Sequence, residues 1–349
     1  MKTAFRIASI LFLVGLTSCA RTEIQTIRFD QQQSGTEASL RGLCAVNDQI
    51  AWASGSGNTV LRTVDGGATW DRLPAPDETT FDFRDIHAWD ARTAVITTAG
   101  TPAKIYRTED GGTTWTEVYA DLRPGAFFDA MAFWDDMTGL VFGDPVEGHL
   151  TVIKTTDGGR TWRMIEGNAI PPIVEGEAGF AASGTCLAVT GKGSAWVGTG
   201  GPVARVFHST DWGETWAVSE TPIRHGSSSC GIFSLVFWDA THGMAVGGDY
   251  QNPEQMDANA AVTSDGSKTW TLIQEKPPNG FRSAVTVVPR AKGPMLVTAG
   301  PSGWDISRDG GRTWTLGDTT GYHAVSFGKK LESGWASGGE GRIAKCVTE

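Results

Sequence analysis

The stretch Thr108–Val118, TEDGGTTWTEV, decides how the rest of the chain is read. Its first eight residues return as TVDGGATW from Thr63, TTDGGRTW from Thr155, STDWGETW from Ser209, TSDGSKTW from Thr263 and SRDGGRTW from Ser307. The six copies end at Trp70, Trp115, Trp162, Trp216, Trp270 and Trp314, a spacing of roughly 45 to 55 residues that suits the blades of a β-propeller. Around the copy at Thr108, the segments FRDIHAWD, AVITTAG, KIYRTEDGG and TTWTEVY alternate or are wholly apolar, with Gly and Asp turns between them. Each period therefore predicts a four-stranded antiparallel sheet, its strands A to D running from the axis outward.

Other periods repeat the details. The A–B turn is WDART at Trp89, WDDMTG at Trp134 and WDATHG at Trp238, and strand B then ends in small residues, as in WASG at Trp52 and LVFGD at Leu140. Small residues suit sheets that crowd toward an axis. After the sixth copy, Tyr322–Val347 supplies strands A, B and C of a seventh blade and then stops. The segment Glu23–Asp30, EIQTIRFD, is expected to provide the missing strand D, which closes the ring without an open sheet edge. The fold class read from the sequence is all-β, one seven-bladed propeller over residues 23–349.

Composition agrees with a turn-rich globular chain: 45 Gly, 14 Trp and 19% charged residues among 349. The net charge of −10 is spread along the chain, which argues against a nucleic-acid partner held through phosphates. The first residues, MKTAFRIASILFLVGLTSCA, combine a basic start with an apolar run too short to span a bilayer, the pattern of an export signal. Leu16-Thr17-Ser18-Cys19 resembles the bacterial lipobox. The resemblance implies a signal peptide over residues 1–18, a lipidated Cys19, a tether over residues 19–22, and a lipoprotein at the periplasmic or outer membrane of a bacterium. Four further cysteines, Cys44, Cys186, Cys230 and Cys346, allow three pairings. A Cys186–Cys230 bridge is one reading, and buried free thiols are the other, favoured for Cys44 and Cys346. No Cys/His spacing suggests a metal, and no cofactor motif is present.

The octapeptide resembles the Asp-box, or BNR repeat, placed at the C–D hairpin. Asp and Ser/Thr side chains can bond to the turn backbone, Gly supplies positive φ, and Trp starts strand D. Asp65, Asp110, Asp157, Asp211, Asp265 and Asp309 are accordingly read as structural, not catalytic. Asp265 sits in the weakest copy, where Ser267 replaces Gly.

In a propeller the A–B and C–D turns share one face, and the long irregular segments here fall on the other. Binding residues on a rigid scaffold usually sit in such loops. Related positions at the start of strand A read Arg41, Arg84, Asp129, Arg282 and His323, expected to converge on the channel mouth and attract a carboxylate, a phosphate or an acidic peptide. Glu147, His149, Asp249, Tyr250, Glu254 and Asp257 are expected to rim that mouth. A one-residue shift of register would instead bury the arginines between sheets.

Over nearly the whole mature chain, the pattern F-x-D…G-W/M-A-V-G…T-x-D-G-G-x-T-W is similar to the photosystem II stability and assembly-factor family of seven-bladed propellers. The resemblance implies an assembly chaperone that binds a partner polypeptide through an arginine-rich patch, carried here onto Arg41, Arg84 and Arg282. The expected function is a non-catalytic, monomeric envelope module with a protein or peptide partner, tied to the membrane only by its lipid. The alternative is a glycoside hydrolase or sialidase-like enzyme, because such enzymes also carry Asp-boxes; Asp129 with Glu147, Asp249 or Glu254 would be its carboxylates. A third reading, oxidoreductase, is a common label among relatives but has no supporting motif in this chain.

Overall fold

Seven antiparallel sheets surround one axis in a computed structural model, which describes residues 26–288, 293–328 and 333–348. The export signal, Cys19 and the tether lie outside the described residues. The inner strands of blades 1 to 7 are Leu40–Ala45, Asp82–Ala88, Phe128–Phe133, Leu187–Thr190, Ser227–Phe237, Ala284–Val287 and Ala324–Phe327. Blade 2 shows the common plan, with Ala94–Ala99, Ala103–Thr108 and Thr116–Asp121 following the inner strand outward. Blade 5 departs from it by a fifth short strand, Gly200–Gly201, paired to the inner edge of Ser227–Phe237.

The ring closes as the sequence predicts. Ile27–Gln32 pairs antiparallel with Ile343–Thr348, from Ile27 opposite Thr348 to Gln32 opposite Ile343. Phe29 on this strand meets the Trp304 ring edge-on at 4.7 Å, so the closing strand is also tied to blade 6. Apolar clusters fill the spaces between neighbouring blades; one joins Leu40, Ala53 and Leu61 of blade 1 to Ala324, Trp335 and Ile343 of blade 7.

The six Asp-boxes share one hydrogen-bond pattern. In the first, Thr63 Oγ1 donates to Asp65 Oδ1 at 2.8 Å and accepts from Gly67 N at 2.8 Å, while Asp65 Oδ2 accepts from Thr69 Oγ1 at 2.6 Å. The same contacts hold Asp110, Asp157, Asp211, Asp265 and Asp309. Asp65 is thus spent on its own turn, and the bond from the Thr69 hydroxyl leads the interactions that hold its carboxyl down at about 2. The second glycine of the box also lets blades approach: a Cβ at Gly213 would stand 2.8 Å from Leu140 of the preceding blade, and one at Gly311 2.7 Å from Met244.

The Cys186–Cys230 bridge is corrected: Cys44, Cys186, Cys230 and Cys346 are all free thiols. Cys186 lies at the inner end of blade 4, packed in an apolar cluster with Leu140, Phe142 and Leu187, while the Cys230 sulfur accepts from Ser227 Oγ on the inner strand of blade 5. Cys44 is half-buried, not fully enclosed as expected.

Candidate functional site

A recurring β-bulge builds the wall of the channel mouth. In blade 1 the pairing steps from Leu40 opposite Gly55 to Gly42 opposite Ser54, leaving Arg41 as the extra residue. The same step isolates Arg84 in blade 2, Asp129 in blade 3 and Phe233 in blade 5. A bulge re-aims the unpaired side chain, and all four of these line one cavity of about 480 Å³ at the axis. Ser283 and His323 occupy the corresponding positions of blades 6 and 7 and line it too.

Arg282 does not. Ala284 pairs with Ala299, as Gly42 pairs with Ser54, so Ser283 takes the bulge position and Arg282 the interior one. Its side chain is 0% exposed, and Nε donates to Asp305 Oδ2 at 2.6 Å. The expected three converging arginines are therefore two, because FRS in blade 6 aligns one residue earlier than the text of the repeat suggests.

Blade 4 contributes differently. Its long connection, pinned where Glu177 accepts from Thr199 Oγ1 at 2.6 Å and from Arg205 Nε at 3.0 Å, continues into Phe180–Thr185 across the axis. The segment reaches five blades: Ala182 O accepts from Arg41, Ala181 O from Arg84, Ser183 Oγ donates to Ser283 O at 2.7 Å, Gly184 bridges Ala130, and Thr185 O accepts from Leu235 N at 3.0 Å. It floors the mouth and separates it from a second cavity, of about 420 Å³, toward the Asp-box face.

The mouth is divided by charge. On one side Arg84 is paired with Asp82 at 2.8 Å, whereas Arg41 has no carboxylate partner among the described residues. Burial, with Arg84 adding repulsion, lowers the Arg41 pKa. His323 is neutral, its pKa brought down to about 3 first by burial and then by Arg41, Arg342 and Arg84. Next to Arg84, on blade 3, stand Asp129 and Asp144. Burial pushes both carboxyls up; for Asp129 the neighbouring Asp144 adds to the effect and Arg84 opposes it. On the same cavity Phe180 and Phe233 stack at 3.8 Å, and Phe281 meets Phe233 edge-on at 4.6 Å.

The remaining rim residues separate. Tyr250, 48% exposed, borders the mouth. Asp249 is buried and accepts from Asn252 Nδ2 at 2.6 Å within its own turn. Glu147 lies in a two-residue hairpin turn that His149 closes, and both line a separate cleft of about 290 Å³ with Arg123 and Glu166. Asp257 pairs with Arg224. Glu254 is exposed, and neither it nor Asp257 borders the mouth. Sequence reasoning missed Asp144, although GD ends strand B in both blade 3 and blade 5. It also missed the aromatic residues and the crossing segment, which have no repeated counterpart.

Residues 22–196 match the family described as photosynthesis system II assembly factor YCF48. The chain belongs to this family. No curated protein matches it. Among solved structures, "YCF48 bound to D1 peptide" has a TM-score of 0.63 at 17% identity, covering 94% of this chain and 99% of that one. YCF48 from Cyanidioschyzon merolae has a TM-score of 0.61 at 17% identity, over 91% and 98% of the two chains. An ancestral GH74 enzyme reaches 0.63 at 11% identity; 91% of this chain is covered but 46% of that one. At these identities the structural likeness carries the fold alone.

Proposed function

We propose that this propeller is a non-catalytic binding module that takes a segment of a partner polypeptide at the channel mouth opposite the Asp-boxes, with Arg41 and Arg84 receiving an acidic group. The observation that carries this reading is Arg41, a largely enclosed guanidinium with a neighbouring cation and no carboxylate partner among the described residues. Asp82, itself bridged to Arg84, acts on Arg41 only through space, so an anionic ligand group would complete its pairing. The YCF48 solved with a D1 peptide supports a peptide as the class of partner. The lipobox-like sequence before Cys19 supports an envelope lipoprotein.

A hydrolase reading draws on Asp129 and Asp144, two carboxyls in one cavity, and on the likeness to a GH74 enzyme. An acid and base pair needs one carboxyl held protonated and the other ionised. Burial raises both carboxyls, so a hydrolysis assay is what separates this reading from binding.

Photo-crosslinking from the rim position Tyr250 in the native host, beside an Arg41→Ala/Arg84→Ala variant, tests the proposal. A discrete crosslinked polypeptide that disappears in the equally stable variant is the expected result. Equal crosslinking by both proteins would move the site elsewhere, and release of reducing ends from a glucan would restore the enzyme reading.

A further inference from the structure

The anionic side of the mouth has a geometry of its own. Asp129 is 1% exposed and its Oδ2 lacks a hydrogen-bond partner; Arg84 acts on it through space but forms no ion pair with it. Burying an unpartnered carboxyl is costly, so its position calls for a reason. Gly179 provides the arrangement. Its amide donates to Asp144 Oδ1 at 3.0 Å, and its missing side chain makes room for Asp129, since a Cβ there would stand 2.4 Å from Asp129 Oδ2. One residue thus sets both carboxyls on the same wall of the cavity. The stacked rings of Phe180 and Phe233 border the same cavity, and aromatic faces also attract cations.

We infer that the mouth holds a cation subsite, formed by Asp129 and Asp144 beside the aromatic wall, which takes a side-chain ammonium or guanidinium of the ligand whose carboxylate lies on Arg41 and Arg84. This rests on the peptide-binding reading and names its ligand class: a chain end or amino acid that is both basic and carboxylate-bearing. A cavity of about 480 Å³ accommodates one or two residues. Asp144, Arg84, Arg41, His323 and Tyr250 are the ionisable groups that share the cavity with Asp129. With both carboxyls raised by burial, a bound cation favours their ionised forms, so binding releases protons and tightens as pH rises.

Calorimetric titration of the full mature protein with four probes tests the inference: an N-acetylated tripeptide Gly-Gly-Lys, the same peptide with norleucine in place of lysine, the lysine peptide as its C-terminal amide, and free lysine. The expected result is saturable binding of the lysine peptide, with the norleucine peptide and the amide each at least about tenfold weaker. Asp129→Asn and Asp144→Asn should each erase the preference for lysine over norleucine, with folding checked by thermal melts. Tight binding of free lysine would identify an amino acid as the source of the same chemistry. Equal affinity for lysine and norleucine peptides, both lost in Arg41→Ala/Arg84→Ala, would overturn the cation subsite while the peptide site survives. Absence of binding by every probe would overturn the subsite, leaving the polypeptide reading to its crosslinking test.

Discussion

Ser267 occupies a backbone conformation, φ +77°, that the other five boxes give to Gly67, Gly112, Gly159, Gly213 and Gly311. It is fully buried and its hydroxyl has no partner, so a side chain is carried here at a cost of about 1–2 kcal/mol for the left-handed backbone. Replacing it with glycine should stabilise the protein by about 1 kcal/mol, after the greater freedom of glycine in the unfolded chain is subtracted. Equilibrium denaturation of Ser267→Gly measures this, and a loss of stability would contradict it. Arg282 and Arg41 make the opposite contrast. Arg282→Ala leaves Asp305 buried without its counter-charge, held only by Asn279, and should cost about 3–5 kcal/mol, whereas Arg41→Ala removes a cation with no ion-pair partner among the described residues and should leave stability within about 1 kcal/mol. Comparable losses for both would mean that Arg41 is a structural residue. The sequence shows both arginines in the same printed context; what separates them is a one-residue difference in pairing.

The C–D hairpin is the element that makes the repeat legible. Its contacts span at most four residues, so the octapeptide states its own conformation, and each Asp-box carboxylate is held by groups inside that span. This gives the fold a common acid response. The Asp65, Asp110 and Asp265 carboxyls are held down at about 2, chiefly by bonds from Thr69, Thr114 and Thr269, against an ordinary value of 3.8. A depressed folded pKa contributes stability that is complete above the unfolded value and is lost as pH falls toward the folded one. Denaturation midpoints measured across pH 5 to 2 should therefore fall between about 4 and 2, and Asp110→Asn should flatten that dependence. An unchanged slope would show that other carboxyls govern it. The crossing segment Phe180–Thr185 lies at the other extreme. Nothing in AASG announces that two of its carbonyls will meet arginines of blades 1 and 2, because those partners stand nearly 100 to 140 residues earlier in the chain.

Closure of the ring joins strands from the two ends of the chain, so the molecule protects its interior only as a whole. The thiols report on this. Burial pushes Cys44 up to about 11 and raises Cys186 and Cys346 as well, which suppresses thiolate in the folded protein. Native protein should resist alkylation at the buried Cys186 and Cys346, react there fully after denaturation, and keep its stability when a reductant is added. Rapid native labelling at Cys186 or a stability loss on reduction would refute this account. At this scale the share of sequence and structure can be separated. The sequence by itself determined seven blades, the common four-strand plan, the structural place of the Asp-boxes and the closing N-terminal strand, because each rests on local turn chemistry or on a period repeated along the chain. Only the tertiary structure decided that Arg41 and Arg84 share a cavity while Arg282 does not, that Asp129 stands beside Asp144, and that blade 4 floors the channel. Those facts depend on inter-strand register and on contacts across the axis, where a single bulge chooses which side chain faces the ligand and which is sealed between sheets.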